Sequence, residues 1–318
     1  MHAILVAEDQ SLVWSEVPDP VPAEDEIVID VRAAALNRAD LMQRAGDYPP
    51  PPGCPEWMGL EVAGVVRDAP EQSRFVVGDT VCALLGGGGY AERVAVPASM
   101  ALPVPEGLSM VEAAAIPEAF ATSYLNICIE AGFKAGETVL IQAGASGLGM
   151  AAIQLVKALG GTVMTTVSTD EKAAFVRGLG ADIVINRTTD HLCAAMEQHP
   201  VDLALDCIAG AELGRCLEKM APGGRWVVIA TMGGATTELD ANLFFRRGLR
   251  LIGSTLRSRT PQMKAEILAG LERALWGSFS AGTIRPVIHA TLPITRAEEA
   301  HAILQNRENL GKVVLTVP

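Results

Sequence analysis

An apolar run at Val139–Gln142 leads straight into Ala143-Gly144-Ala145-Ser146-Gly147-Leu148-Gly149, and a helix-compatible segment follows. Glycines at such a junction permit a tight turn and let the backbone approach a pyrophosphate, while a helix N-terminus offers free N–H groups to anionic oxygens. The run departs from the GxGxxG pattern, because Ser146 stands where the middle glycine would be. Taken alone it is a structural turn as readily as a phosphate site. Its setting favours the second, with Gly144, Ala145, Ser146, Gly147 and Leu148 as candidate ligands of a dinucleotide.

That setting is a series of six apolar runs: Thr138–Gln142, Thr162–Val167, Ile183–Asn186, Leu203–Asp206, Arg225–Ala230 and Leu249–Gly253. Helix-compatible segments separate the first five, including Leu148–Leu159, Lys172–Leu179 and Ala211–Met220. Strand and helix alternating in this way predict a doubly wound parallel sheet of six strands, a Rossmann arrangement. Ligands of such sheets bind beyond the carboxyl ends of the strands. Met232 and Gly233 after the fifth run, and Ser254 and Thr255 after the sixth, are therefore further candidates, with plain loop closure as the alternative.

The end of the second strand discriminates between nicotinamide cofactors. A carboxylate there accepts from the ribose hydroxyls of NAD, whereas hydroxyls and cations suit the 2′-phosphate of NADP. Ser168 and Thr169 end this strand, Lys172 follows, and Arg187 ends the third. NADPH is the expected cofactor. Asp170, slightly later, keeps NAD open, and Lys172 and Arg187 have an alternative reading as solvated charges.

Composition narrows the class. The chain has 318 residues, 37 acidic against 25 basic, and a formal charge of −12, so a basic face for nucleic acid is not expected. Aromatics at 4% disfavour a base-stacking platform, and 49% apolar residues support a large core. Cys54, Cys82, Cys128, Cys193, Cys207 and Cys216 form no CxxC pair, neither a zinc ribbon nor a disulfide scaffold, which fits a reducing compartment; Cys207 and Cys216 are expected to be inertly packed. Thr138–Val156 carries no charge, but Gly144, Gly147, Gly149 and the change of period within it fit strand, turn and helix better than a bilayer span. No leader is visible at the start, and a cytoplasmic protein without membrane association is expected.

Short strands at Glu26–Ala35, Gly59–Val66, Thr80–Leu84 and Arg93–Val96, broken by prolines, make the first part β-rich. Gly86–Gly89 lacks a following helix and reads as a flexible hairpin connection. The tail returns to short strands, with a helix over Ala297–Asn306 and a strand at Lys312–Thr316. The expected organisation is a discontinuous domain, 1–118 with 272–318, around a nucleotide-binding insert at 119–271.

Several stretches in order along the chain resemble the medium-chain dehydrogenase/reductase superfamily and its zinc-free quinone oxidoreductases, most of all the tumour-suppressor-inducible branch. They are Asn37-Arg38-Ala39-Asp40-Leu41-Met42-Gln43-Arg44, Gly59-Leu60-Glu61-Val62-Ala63-Gly64, the 143–149 loop, Asp206-Cys207-Ile208-Ala209-Gly210 and Leu256-Arg257-Ser258-Arg259. The resemblance implies a GroES-like catalytic domain with a Rossmann insert and a site in the cleft between them. Zinc members of the superfamily carry Cys and His where this chain has Asn37 and Leu60, so no metal is expected. Without a Lewis acid the substrate must be intrinsically electrophilic, a quinone or an activated alkene. By position in the resemblance, Asn37, Asp40 and Tyr48 line the substrate side and Thr122 lies near the nicotinamide. Tyr48, in a proline-flanked loop, is a proton donor or only a wall; Asp40 reads as an internal hydrogen-bonding group as well as an acid. Arg307, in the turn before Gly311, is a candidate for a cofactor phosphate or a surface salt bridge. The expected activity is NADPH-dependent quinone reduction; enone or enoyl-thioester reduction and a non-catalytic NADPH-binding or RNA-associated protein are the alternatives. The apolar sixth strand at a sheet edge suggests a homodimer.

Overall fold

Strands buried on both faces need no polar alternation, and the apolar runs of the second half fold accordingly. The computed structural model describes all 318 residues. They form two units, Met1–Ala121 with Arg257–Pro318, and Thr122–Leu256.

In the second unit six parallel strands lie in the order Ile183–Asn186, Thr162–Val167, Thr138–Ile141, Leu203–Asp206, Arg225–Val228 and Arg250–Gly253. The order reverses beside Thr138–Ile141, which is the switch point where ligands of such sheets bind. Helix starts lie one or two residues ahead of those predicted, because hydroxyls cap them. Ser146 accepts from the Gly149 amide at the start of Gly147–Ala158, and Thr169 from the Lys172 amide at the start of Asp170–Gly178. Trp226 is the largest fully buried side chain of this unit. Its indole donates to Asp206 Oδ2 at 2.8 Å, and Oδ1 accepts from the amides of Ile208 and Ala209 at 2.6 and 3.0 Å. One buried carboxylate thus fixes the exit of the fourth strand to the core.

The first unit holds a seven-stranded sheet in the order Ile288–Pro293, Lys312–Thr316, Glu26–Ala35, Glu61–Asp68, Thr80–Leu84 and Ala101–Pro103, with Arg93–Pro97 also pairing to Glu26–Ala35. The last strand of the chain runs antiparallel to Glu26–Ala35, with Val314 opposite Ala35 and the Leu36 amide donating to Val313 O. The start of that last strand, Lys312, is thereby carried to the residues just after Ala35.

Three features differ from expectation. A 20-residue helix at Pro261–Ser280, capped by Thr260 and opened by proline, belongs wholly to the first unit, so the chain returns there at Arg257. A boundary at 271/272 would have cut this helix. Gly86–Gly89 is no flexible connection. A Cβ on Gly86 would collide with Cys54 Sγ, one on Gly88 would lie 2.8 Å from Pro55 Cγ, and one on Gly89 3.0 Å from Gly59 O, so the run is a packing surface that only glycine permits. Finally, Cys193 and Cys216 are not free thiols. The helices Leu192–Gln198 and Gly210–Leu217 bring their Cα atoms to 4.9 Å and a disulfide joins them, a proximity that a sequence separation of 23 does not announce. No helix is long and apolar enough to cross a membrane.

Replacing Trp226 by Phe removes the donor to Asp206 Oδ2 and leaves a small cavity where the indole was fully buried. We expect a loss of about 1–3 kcal/mol, read as a lower denaturant midpoint at unchanged m-value.

Candidate functional site

At the switch point the backbone is drawn into a tight cradle. Ala143 is left-handed (φ 56°); its amide donates to Thr166 Oγ1 at 3.1 Å and the Gly144 amide to Thr166 O at 2.9 Å. The Thr166 hydroxyl in turn donates to Gln142 Oε1 at 2.6 Å. A Cβ on Gly144 would strike Thr165 Oγ1, and one on Gly149 would sit 2.5 Å from Ala143 O and Gly144 Cα. Ser146, the departure from the glycine pattern, serves as the helix cap. That leaves the amides of Gly147 and Leu148 without an intrahelical carbonyl, the donors an anion needs. The cradle fits a pyrophosphate.

Ser168 and Thr169 follow the second strand, Lys172 lies in the first turn of the helix Asp170–Gly178, and Arg187 follows the third strand. The Arg187 amide donates to Val167 O, which sets the third strand's exit beside the second's. Asp170, the residue that left NAD open, accepts from Asn186 Nδ2 at 3.1 Å. On the same edge of the sheet, Met232 donates its amide to Cys207 O, Gly233 to Ile208 O and Ser254 to Val228 O, and Thr255 follows. Thr122 lies in the helix Pro117–Tyr124, ahead of a wider helical turn at Leu125–Glu130, and its carbonyl accepts from Asn126 Nδ2 at 2.7 Å. Arg307 is exposed, left-handed (φ 60°) and part of the first unit.

Asn37, Asp40 and Tyr48 all belong to the first unit, where a buried ionic network surrounds the first two. Asp40, 1% exposed, accepts from the Asn37 amide at 2.7 Å, the Gly59 amide at 3.2 Å and the Tyr90 hydroxyl at 3.0 Å. Burial pushes its carboxyl up to about 6, against the pull of these donors and of Lys312. The Asn37 carboxamide donates to Glu61 Oε1 at 3.0 Å and accepts from Lys312 Nζ at 2.8 Å. Lys312, 3% exposed, also donates to Glu61 Oε1 at 2.5 Å and Leu36 O at 2.6 Å, so all three of its protons are placed. Glu61 Oε2 accepts the Glu118 amide at 2.9 Å. Burial first, and then the Glu61 charge, pushes the Glu118 carboxyl up to about 7, against Lys312 and Lys264.

Tyr48 stands apart from this network. Arg257 lies over its ring, the guanidinium carbon 4.6 Å from the centroid, and donates to its carbonyl at 3.1 Å. Lys312, Glu118, Tyr90 and Arg257 escape a reading of the sequence for site residues. The signal for Lys312 is a lone cation opening the otherwise apolar strand Lys312–Thr316.

Comparisons with known proteins agree with this geometry. Residues 23–106 match the alcohol dehydrogenase GroES-like domain and 147–272 the zinc-binding dehydrogenase family. The chain is 30% identical to a quinone oxidoreductase of Sus scrofa over 308 residues, covering 95% of this chain and 92% of that one. It is 33% identical to lovastatin diketide synthase of Aspergillus terreus, over 94% of this chain but only 12% of that much longer protein. The quinone oxidoreductase of Thermus thermophilus, solved also in complex with NADPH, superposes with a TM-score of 0.81 at 34% identity, covering 99% of this chain and 100% of that one. The chain belongs to the medium-chain dehydrogenase/reductase superfamily, among its quinone oxidoreductase-like members.

Zinc, which one of these family names implies, does not suit the residues present. The Asn37 oxygen is turned to an ammonium group, Leu60 offers no lone pair, and Lys312 brings a fixed positive charge into the space. No group of three or more His, Cys, Asp or Glu elsewhere is arranged for a metal ion.

Two outcomes check the network. Lys312→Met strands the Glu61 carboxylate and should cost about 3–5 kcal/mol in chemical denaturation, with more than half recovered in Lys312→Met/Glu61→Gln. Glu118 has a raised carboxyl in the folded state, so folding takes up a proton there. Its contribution is therefore lost as pH rises from the ordinary carboxyl range through about 7. Glu118→Gln should melt higher than the parent at about pH 8 and the same at about pH 5.

Proposed function

We propose that this protein uses NADPH to reduce quinones and similarly electrophilic acceptors without a metal, with Tyr48 as proton donor. The observation that carries this reading is the Lys312–Glu61–Asn37 network, which fills with an ammonium ion the place where a Lewis acid would act. Such a site gains most from an acceptor that takes electrons unaided. Bound NADPH would supply the hydride from its nicotinamide C4.

Each residue then has a task. The amides of Gly147 and Leu148, with Gly144, Ala145 and Ser146 shaping the cradle, receive the pyrophosphate. Ser168, Thr169, Lys172 and Arg187 take the 2′-phosphate, the two cations giving NADPH its advantage over NADH. Thr122, Met232, Gly233, Ser254 and Thr255 complete the nucleotide surface, and Arg307 is assigned to a cofactor phosphate. Asn37 and Asp40 hold the substrate-side frame, since their polar atoms are already paired. The Tyr48 hydroxyl is left to donate a proton to the reduced acceptor oxygen. The edge strand Arg250–Gly253, with Leu251 40% exposed, is assigned to a second copy of the chain, and the cytoplasm to the protein.

The test is steady-state and binding measurement on the purified chain with para- and ortho-quinones. NADPH should bind more tightly than NADH, and Lys172→Ala should weaken NADPH about tenfold while sparing NADH. Tyr48→Phe should lower kcat about 100-fold with NADPH affinity kept. Faster turnover of a crotonyl thioester than of any quinone would move the substrate to activated alkenes, and binding without any turnover would end the enzymatic reading.

A further inference from the structure

Arg257 is 8% exposed and donates from all three guanidinium nitrogens. Nε and Nη2 donate to Gly86 O at 3.1 and 2.9 Å, Nη1 to Tyr48 O at 3.1 Å, and Nη2 also to Gln43 Oε1 at 2.7 Å. Three segments of the first unit are tied by one side chain: the helix Arg38–Arg44, the loop that carries Tyr48, and the glycine run at 86–89. The glycine run packs closely at this point, since a Cβ on Gly86 would collide with Cys54 Sγ.

Every one of these acceptors is a neutral carbonyl oxygen. A cation this deep is costly to bury without a carboxylate unless another role compensates. Its guanidinium carbon lies over the Tyr48 ring, 4.6 Å from the centroid, where the charge would attract a phenolate far more than a phenol. We propose that Arg257 is the positioning residue for Tyr48: it clamps the loop in place and sets a fixed positive charge against the ring on which negative charge appears during proton donation. This rests on Tyr48 being the acid. In that step the Tyr48 O–H bond breaks, an O–H bond forms on the acceptor oxygen that received the hydride's electron pair into its carbonyl system, and the O–H pair stays on the phenolate until water returns the proton.

The surroundings support an oriented field. Burial raises the Tyr48 phenol above its usual value; Arg257 opposes that, and Glu118 adds to it. Lys264, on the helix Pro261–Ser280, donates to Arg257 O at 2.8 Å, and its own ammonium is held below the usual value by burial. Cys54 lies against the same glycine run, its thiol raised by burial. Among these groups Arg257 alone touches both the ring and the backbone of Tyr48.

The experiment compares the parent, Arg257→Met, Arg257→Lys and Tyr48→Phe, with folding checked by thermal unfolding. The ultraviolet phenolate signal of Tyr48, isolated by subtracting the Tyr48→Phe titration, needs neither cofactor nor turnover. Arg257→Met should move that titration up by about one pH unit or more, lower kcat about tenfold or more and leave the NADPH Kd within about twofold. Arg257→Lys keeps the charge without the fork, so it should hold the titration nearer the parent while still losing kcat. An unmoved titration in both variants sinks the Arg257 inference even if activity falls. Full activity in Tyr48→Phe with a shifted titration sinks the acid role of Tyr48 and, with it, the catalytic meaning of the clamp.

Discussion

The buried pair between Lys312 and Glu61 is the interaction on which the first unit's polar interior depends. Removing two charges from water costs several kcal/mol each, and mutual attraction offsets this only where the remaining protons and lone pairs are also satisfied. That condition is met: Lys312 gives its other protons to Asn37 Oδ1 and Leu36 O, and Glu61 takes donors on both oxygens. The pair spans 251 positions of sequence and exists because the last strand lies beside Glu26–Ala35. Sheet pairing, the orientation of Asn37 and the placement of Glu118 are consequences of one another. Removing either Lys312 or Glu61 leaves a charge that the buried surroundings cannot solvate.

Much of the second unit was legible because parallel strands covered on both faces must be apolar runs, and helices between them must repeat at a different period. Thr162–Val167, Ile183–Asn186 and Leu203–Asp206 are found with the bounds the runs predict. Helix starts were less so. Ser146 and Thr169 look like loop residues until their hydroxyls are seen to cap, which moves each helix toward them. The glycine loop was recognisable from its neighbours in sequence. Gly86–Gly89 was not, since its reason lies in Cys54, Pro55 and Gly59, segments met only after folding.

The same distinction separates the parts of the candidate site. Asn37, Asp40 and Tyr48 stand close in sequence and are found through residue type and resemblance. The groups that decide what those three can do come from far along the chain: Tyr90 and Gly59 on Asp40, Lys312 and Glu61 on Asn37, Arg257 on Tyr48. Arg257 stands in a stretch that carries the resemblance, yet nothing local says what it or Lys312 will touch. A buried Lys opening an apolar strand is the single sequence anomaly that points to one of them, and its partner cannot be read from periodicity. The disulfide between Cys193 and Cys216 is hidden for the same reason, through two helices whose packing no spacing rule states.

Environment also divides labour among groups that a sequence treats as alike. Asp40, Glu61 and Glu118 are three carboxyls in one small volume with a single fully buried ammonium between them. Asp40 and Glu118 are pushed upward by burial, Glu118 further by the charge on Glu61. Like charges crowded in a low-dielectric space separate in proton affinity, so the cluster balances its charge with few cations. Tyr48 is placed differently, half-buried against a guanidinium whose acceptors are all neutral. The carboxyls of Asp40 and Glu61 are engaged by internal partners, whereas burial raises the Tyr48 phenol and the nearby guanidinium opposes that rise. The chain thus pairs the charges of Lys312 and Glu61 within a buried frame and sets Tyr48 apart from it, beside the guanidinium of Arg257.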